Sequence, residues 1–185
     1  MRKLIMWNVV TLDGRFEGEQ SWDLSFHQLV WGPELETMSI AQLHEASALV
    51  FGARTYKGMA EYWAHAEETD PTVAPLMNSI AKIVCSPSLE QAEWNNTTII
   101  RDAVSGIEQL KGEVGGPMFV FGSGILSKSL MNAGLFDEIR LCIAPTVLGR
   151  GRHLFTDANM EHKFTLLETK SLQNGGVVLR YGVIN

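Results

Sequence analysis

The sequence predicts a three-layer α/β fold in which a mixed, mainly parallel central sheet carries helices on both faces. Two observations predict it. Short apolar runs alternate with helical patterns from residue 4 to residue 144, and two strand-like runs close the chain around the turn at residues 173–176. Alternating strands and helices form parallel sheets, whereas an Asn-Gly pair between two alternating runs predicts a hairpin. We therefore expect a parallel sheet that ends in a C-terminal antiparallel hairpin.

The elements follow from run length and from residues that begin or end them. Apolar runs of four to nine residues predict strands, and Pro33 with Glu34 and Glu36 suits the first turn of a helix. Residues 15–32 are read as irregular and residues 64–78 as an acidic surface loop. The predicted strands cover residues 4–12, 48–51, 82–85, 97–100, 117–121, 138–144, 164–172 and 177–184, and the predicted helices cover 33–47, 54–63, 104–111 and 125–132.

Length and composition indicate one domain, residues 1–185, with an ordinary hydrophobic content of 45%. The formal net charge of -6 argues against nucleic-acid binding, which depends on Lys and Arg. No apolar run approaches the ~18 residues needed to cross a bilayer, and the first is too short for a signal peptide. We therefore expect a cytoplasmic protein with no membrane or nucleic-acid partner. Cys85 and Cys142 lie in apolar runs and are expected to be buried free thiols, and no metal site is expected.

The turn Gly122-Ser123-Gly124 is the strongest local signal. It follows a buried strand and precedes a predicted helix whose first residues are Ile125 and Leu126. The first N–H groups of a helix lack partners within it, and small residues let a pyrophosphate approach the backbone there. The turn therefore favours a dinucleotide phosphate, although a plain strand-to-helix turn without ligand has the same sequence pattern.

Two other strand ends show related patterns. The run Gly52-Ala53-Arg54-Thr55 again joins a buried strand to a helix, and a cation is unfavourable at that end of a helix dipole. An anionic ligand would explain Arg54, and so would an ion pair within the protein. Ser86 follows the strand at residues 82–85 and is a candidate phosphate or ribose contact. Ligands of parallel sheets bind at the carboxyl ends of strands, so these three ends point to one site.

These segments resemble, in this order, the dihydrofolate-reductase-like superfamily and most closely the RibD C-terminal domain. The most specific pieces are Leu12-Asp13-Gly14, Phe121-Gly122-Ser123-Gly124, and the stretch from Phe136 to Phe155 with its Gly149-Arg150-Gly151-Arg152 turn. The run Phe51-Gly52-Ala53-Arg54-Thr55-Tyr56 is similar to dihydrofolate reductase itself. The resemblance covers nearly the whole chain and implies a dihydrofolate-reductase-like fold.

The resemblance also implies the cofactor NADPH and a placement for it. Arg54 and Thr55, beside Gly52 and Ala53, would lie near its phosphates, with Ser86 near the adenosine 2′-phosphate. Gly122, Ser123, Gly124, Ile125 and Leu126 would hold the pyrophosphate. Asn8 and Val9 on the first strand would lie beside the nicotinamide, with Asn8 and Trp22 facing the substrate.

The resemblance leaves the catalytic group open. Ser123 stands where family members usually have glycine, and none of Asp23, Glu34 and Glu36 aligns with the carboxylate that holds the pterin in dihydrofolate reductases. Asp13 and His27 are candidate proton carriers, although an Asp-Gly pair also caps turns. We expect an NADPH-dependent reductase of a small pterin- or pyrimidine-like substrate. The alternative is a nucleotide-binding or regulatory module without catalysis. The hairpin edge and the resemblance both suggest a homodimer.

Overall fold

The computed structural model describes residues 1–156 and 161–184. The strands are β1 (Leu4–Thr11), β2 (Arg15–Glu17), β3 (Ala48–Gly52), β4 (Ala81–Cys85), β5 (Thr97–Ile100), β6 (Met118–Phe121), β7 (Glu138–Ala144), β8 (Arg152–His153), β9 (Lys163–Ser171) and β10 (Val177–Ile184). The helices are α1 (Pro33–Glu45), α2 (Ala53–Trp63), α3 (Ala74–Ser79), α4 (Ala103–Gly112) and α5 (Gly124–Asn132), with a short 3-10 helix at Ser25–Leu29.

One sheet of eight strands, in the order β5-β4-β3-β6-β1-β7-β10-β9, forms the middle layer. Strands β5, β4, β3, β6, β1 and β7 pair in parallel, and β10 pairs antiparallel with β7 and with β9. The expected mixed, mainly parallel sheet with a C-terminal antiparallel hairpin is therefore confirmed. A separate two-stranded ribbon joins β2 to β8.

Strand β1 lies in the middle of the sheet and is buried on both faces. Leu4 and Met6 belong to a core with α4 and α5 on one side, whereas Ile5 belongs to a second core on the other. A strand that is buried on both faces favours apolar residues on both faces. This explains the apolar run that begins β1, which Asn8 interrupts at the cavity described below.

The segment at residues 64–78 is not the plain surface loop that we predicted. Helix α3 begins there with Pro75 in its first turn, and Val73, Ala74 and Met77 are buried against α1 and α2. The prolines were read as breaks, but proline suits the first turn of a helix because its missing N–H would have no partner there. The prediction of an irregular stretch at residues 15–32 likewise missed β2.

Four further features concern the cysteines, the length of the helices, possible metal ligands and the edge of the sheet. Cys85 and Cys142 are both free and buried, as predicted. In the described part of the chain, no helix is both long and apolar enough to cross a membrane, and no group of three or more His, Cys, Asp or Glu side chains could hold a metal ion. Strand β9 is an edge of the sheet, and all nine of its residues are exposed.

Candidate functional site

A cavity of about 1260 Å³ opens where β1, β3, β4 and β6 end. Because these strands are parallel, their carboxyl ends meet along one edge of the sheet, where ligands of α/β proteins bind. Every predicted cofactor and substrate residue lines this cavity. These residues are Asn8, Val9, Trp22, Gly52, Ala53, Arg54, Thr55, Ser86, Gly122, Ser123, Gly124, Ile125 and Leu126.

Two helices begin at the cavity wall with their first N–H groups uncapped. Neither α2 nor α5 has a side-chain cap or an acidic residue in its first turn. A third helix, α4, also begins at the wall with Ala103, but Asp102 caps it by accepting a hydrogen bond from Ser105 N. Uncapped helix N-termini carry partial positive charge. Two of them on one cavity favour an anionic ligand.

Ser123 ties two of the strand ends together. It is a non-glycine residue in the left-handed region, with φ of 60°, a conformation that costs free energy unless the surroundings fix it. Gly52 N donates to Ser123 Oγ at 2.9 Å, and Ser123 N donates to Thr55 Oγ1 at 3.1 Å. The Ser123 hydroxyl in turn donates to Phe121 O at 3.1 Å. Instead of facing a ligand, the hydroxyl locks the β3 and β6 turns into one unit.

The two glycines of this turn are required by close contacts. Gly122 has φ of 55°, and a Cβ there would lie 3.1 Å from Thr55 Cγ2. A Cβ on Gly124 would lie 3.0 Å from Phe16 Cζ. Side chains at either position would push the neighbouring elements apart, so the small residues set the shape of the cavity wall.

Arg54 is paired within the protein, which is one of the two explanations that its position allowed. Its Nη1 and Nη2 donate to Glu17 Oε2 and Oε1 at 2.9 and 2.7 Å, and Arg152 Nε lies 3.1 Å from Glu17 Oε2. Glu17 Oε1 also accepts from Trp22 N at 2.6 Å. Trp22 has φ of 66°, so this carboxylate also holds the strained backbone of the loop.

The charge on the cavity wall is nevertheless positive. Arg54, Lys128 and Arg152 line it, and Glu17 is the only carboxylate among the described lining residues. Glu17 is 4% exposed and shared by two guanidinium groups. The surplus of cations, together with the helix N-termini, makes this end of the cavity suited to phosphate.

Ser86 lies at the wall but is partly used by its own turn. Its Oγ accepts hydrogen bonds from Leu89 N at 3.0 Å and from Ser88 N at 3.3 Å. The hydroxyl hydrogen is the group that this arrangement leaves for a ligand, because the lone pairs serve the backbone. The predicted contact with a 2′-phosphate stays a prediction.

The other end of the cavity is aromatic. Its walls include Trp7, Trp22, Trp31, Tyr62 and Trp63. The Trp22 ring packs against α2 at Gly58, where a Cβ would lie 2.7 Å from three ring atoms. Flat aromatic walls suit a planar ring, which they contact over a large area at low conformational cost.

Asn8 and His27 add polar atoms to this apolar end. Asn8 is 5% exposed, and its Nδ2 has no hydrogen-bond partner among the described residues. His27 Nε2 is likewise buried and unpaired within the same part of the chain. Burial lowers the pKa of His27 to about 4, so the imidazole is neutral near pH 7. Unsatisfied buried polar groups are costly, and a bound ligand would satisfy them.

Asp13 does not line the cavity, and its carboxylate caps a turn, which is one of the two roles that the sequence allowed. Its carboxylate accepts from Gly149 N at 2.9 Å and Leu148 N at 3.2 Å, and from the Thr11 hydroxyl at 2.6 Å. The Thr11 hydrogen bond and the two backbone hydrogen bonds hold the pKa of Asp13 far below its usual range. Asp13 therefore joins the loop after β1 to the loop after β7.

Sequence reasoning missed Glu17 and Gln42 as lining residues. Glu17 lies in a stretch read as irregular, and its burial depends on the β2–β8 ribbon, whose strands are more than 130 residues apart. The alternation of charged Arg15 and Glu17 with apolar Phe16 was the one local signal that these residues form a strand. Gln42 was hidden because its helix has a mixed, weakly amphipathic pattern.

This fold and cavity agree with the comparisons of the chain with known proteins. A sequence model of the RibD C-terminal domain matches residues 2–178. The chain belongs to the RibD C-terminal domain family. The match spans both strand-to-helix turns and the carboxylate of Glu17, so the site described above lies within the family's domain.

Individual relatives of this RibD C-terminal domain support the fold. The uncharacterized protein YyaP of Bacillus subtilis (strain 168) is 27% identical over 97% of this chain and 94% of its own length. A Shewanella sp. PV-4 structure whose name associates it with riboflavin biosynthesis has a TM-score of 0.76 at 16% identity, with 99% of each chain covered. Enterococcus faecalis dihydrofolate reductase, solved with NADP(H) and RAB-propyl, has a TM-score of 0.66 at 15% identity, covering 99% of this chain and 97% of its own. At these identities the two structures show a shared fold.

Proposed function

We propose that this protein is an NADPH-dependent reductase that transfers a hydride to a small heterocyclic, pterin- or pyrimidine-like substrate. One observation carries the proposal: a single cavity is lined both by cationic side chains beside two uncapped helix N-termini and by a set of aromatic side chains. A phosphate-bearing cofactor would bind the cationic part of the wall, and a flat ring would bind the aromatic part. Family membership, and NADP(H) in a protein of the same fold, support this arrangement.

The residues present fit NADPH. The turn at Gly122–Gly124 would hold the pyrophosphate against the N–H groups that begin α5, with Ala53 and Thr55 at the start of α2. Arg54, Lys128 and Arg152 supply positive charge on the same wall. The unpaired amide of Asn8, beside Val9, lies where β1 passes into the aromatic end and would contact the nicotinamide or the substrate.

When bound, the cofactor supplies the hydride. The chain's own part is to hold the two reactants in contact and to exclude water. Trp22 would contact the substrate ring from the loop that Glu17 fixes, and Trp63 would contact it from the end of α2. A neutral His27 would donate or accept a hydrogen bond there without adding charge.

A titration of NADPH tests this proposal, with tryptophan fluorescence as the readout because four tryptophans line the cavity. Lys128→Ala should weaken binding about three- to tenfold through the lost charge. Lys170→Ala, which removes the same charge from the exposed edge strand β9, should leave binding unchanged. Loss of absorbance of the reduced nicotinamide is then followed with pterins and pyrimidines. A protein that does not bind NADPH would overturn the proposal.

One observation favours a second candidate, a nucleotide-binding module of the same fold without catalysis. The lowered pKa of His27 leaves its imidazole neutral near pH 7, and Asp13 does not line the cavity. Neither of the two predicted proton carriers therefore supplies an acidic proton to the cavity at neutral pH. Binding of NADPH without oxidation by any acceptor would favour this candidate. Oxidation by one pterin or pyrimidine would exclude it.

Two expectations from the sequence stay predictions. A homodimer would cover the exposed β9 edge, which carries the apolar side chains Phe164, Leu166 and Leu167. Light scattering measures the mass in solution directly, and a monomer at all concentrations would contradict it. The cytoplasmic location is tested by fractionating cells that express the protein.

A further inference from the structure

Gln42 on α1 lies between two cavities. It is 8% exposed and lines the main cavity, together with Leu35 and Ser39 on the same helix face, and also a smaller cavity of about 360 Å³. Residues 35, 39 and 42 are spaced as neighbours on one side of a helix. The α1 side of the aromatic end is therefore apolar apart from one hydroxyl and one carboxamide.

Arg140, on the side of the smaller cavity, determines how that carboxamide is turned. Arg140 Nη1 lies 3.2 Å from Gln42 Oε1, and an arginine can only donate hydrogen bonds. The oxygen of Gln42 must therefore be the atom that faces Arg140, which leaves the NH₂ group on the opposite side. None of the hydrogen bonds made within the described residues uses that NH₂ group.

Arg140 is itself fixed. Its Nε donates to Glu138 Oε1 at 2.7 Å, its Nη1 donates to Glu45 Oε2 at 3.1 Å, and its guanidinium lies over the Phe119 ring at 5.1 Å. Arg140 is 7% exposed. A buried guanidinium held from several sides has one orientation, so it imposes one orientation on Gln42.

We propose that Gln42 is a specificity-determining residue: Arg140 presents its NH₂ group as a hydrogen-bond donor to the substrate ring, which selects rings with a carbonyl oxygen at that edge over rings with an amino group. This inference rests on the proposed function, because it assigns the aromatic end of the cavity to the hydride acceptor. Glu17 is the one carboxylate among the described lining residues, and Arg54, Arg152 and Trp22 N already bind it, so an amino group of the ring would find no free charged acceptor. An unpaired buried donor rejects the wrong partner strongly.

The test uses two rings of similar shape. Lumazine (the pteridine-2,4-dione) carries carbonyl oxygens, which accept hydrogen bonds, at the positions where 2,4-diaminopteridine carries amino groups, which donate them. Binding is measured by quenching of tryptophan fluorescence. The wild-type protein should bind lumazine about tenfold more tightly. Gln42→Glu keeps the shape and the Arg140 contact but turns the donor into an acceptor, so the preference should reverse.

Glu45→Gln is the matched control. It removes a charge beside Arg140 but does not touch the main cavity, so the preference for lumazine should persist. Gln42→Leu, which carries no polar group, should bind the two rings equally and serves if the glutamate variant does not fold.

Three results would overturn the inference: a wild-type preference for the diamino ring, no binding of either ring, or a preference that Gln42→Glu and Gln42→Leu leave unchanged. A separate NADPH titration distinguishes failure of this inference about Gln42 from failure of the proposed reductase function. NADPH binding without ring discrimination would overturn the role of Gln42 alone. Ring discrimination without NADPH binding would overturn the reductase and leave Gln42 as a selector of ligands.

Discussion

Glu17 and Arg54 form a two-point ion pair at the cationic end of the cavity, with oxygen–nitrogen distances of 2.7 and 2.9 Å. Glu17 is 4% exposed and ends strand β2, whereas Arg54 belongs to the first turn of α2. Glu17 thus binds the guanidinium that an anionic ligand at this helix N-terminus would contact. A phosphate entering this end would compete with Glu17 for Arg54.

Glu17→Gln should therefore strengthen NADPH binding. The glutamine keeps the shape but removes the negative charge, which leaves Arg54 and Arg152 with one more net positive charge toward phosphate. We expect a dissociation constant about three- to tenfold lower, measured by fluorescence titration at low salt. The gain should be smaller for NADH, which carries one phosphate fewer.

Glu19→Gln is the control for that change. Glu19 lies just after β2 but pairs with Arg150 at 3.3 Å, and both side chains are exposed. Neither residue lines the cavity, so NADPH binding should change little. Weaker NADPH binding by Glu17→Gln would contradict competition and would show that the carboxylate supports the bound state.

Asn8→Leu should stabilise the protein and weaken its ligands. The Asn8 amide is buried with Nδ2 unpaired among the described residues, and replacing such a group by an apolar one of similar size gains about 1 kcal/mol. The same change removes a polar contact from the cavity. Denaturant unfolding and NADPH titration measure the two effects.

Asn132→Leu provides the comparison. Asn132 also has a buried unpaired amide atom within the described structure, but it lies at the end of α5 and does not line the cavity. The Asn132→Leu substitution should therefore leave ligand binding unchanged. If Asn8→Leu destabilised the protein and Asn132→Leu did not, the amide of Asn8 would be a structural group.

The buried His27 should make stability fall as the pH is lowered. Its pKa is about 4 in the folded protein against an ordinary 6.5. The unfolded chain therefore takes up a proton first, and stability decreases as the pH drops from about 6.5 toward 4. At pH 5 this group costs about 2 kcal/mol relative to pH 7. Above pH 7 it contributes no pH dependence.

Denaturant unfolding of His27→Gln at pH 7 and pH 5 measures this contribution. The variant should lose less stability than the wild-type protein over that interval, whereas a variant of the exposed His44, His44→Gln, should follow the wild type. Equal losses in all three proteins would mean that His27 titrates normally.

Gly58→Ala should displace Trp22. The new Cβ would lie 2.7 Å from three atoms of the Trp22 ring, which is too close for the ring to stay. Although alanine favours a helix by about 1 kcal/mol, we expect a red shift in tryptophan fluorescence and severalfold weaker binding of lumazine. Gly112→Ala, with open space around its Cβ at the end of α4, should shift neither signal.

The strand ends of the site were predictable because each depends on a local pattern. An apolar run that stops at Gly52 or Gly122 marks a strand that meets a helix, and parallel pairing then brings those ends together. The residues that complete the site were not predictable in this way. Glu17 meets Arg152 only because two distant segments form a ribbon, and Gln42 gains its orientation from Arg140 in a different layer.

The open alternatives at Asp13 and the mistaken interpretation of Pro75 have the same origin. Asp13 was either a proton carrier or a turn cap, because an Asp-Gly pair in a loop does not show what the carboxylate faces. In the folded protein it faces the backbone of residues 148 and 149. Pro75 was read as a break because its role in the first turn of α3 depends on burial of Met77, which the local sequence does not reveal.

The central place of β1 in the sheet has a consequence for biosynthesis. Both of its neighbours, β6 and β7, are made more than 100 residues later. Strand β1 therefore waits for both neighbours until residues 118–144 have left the ribosome. Such long-range pairing is slow and exposed to aggregation. The cavity wall at Asn8 is completed only at that late step, so a ligand of this cavity can stabilise only chains in which β6 and β7 have paired with β1.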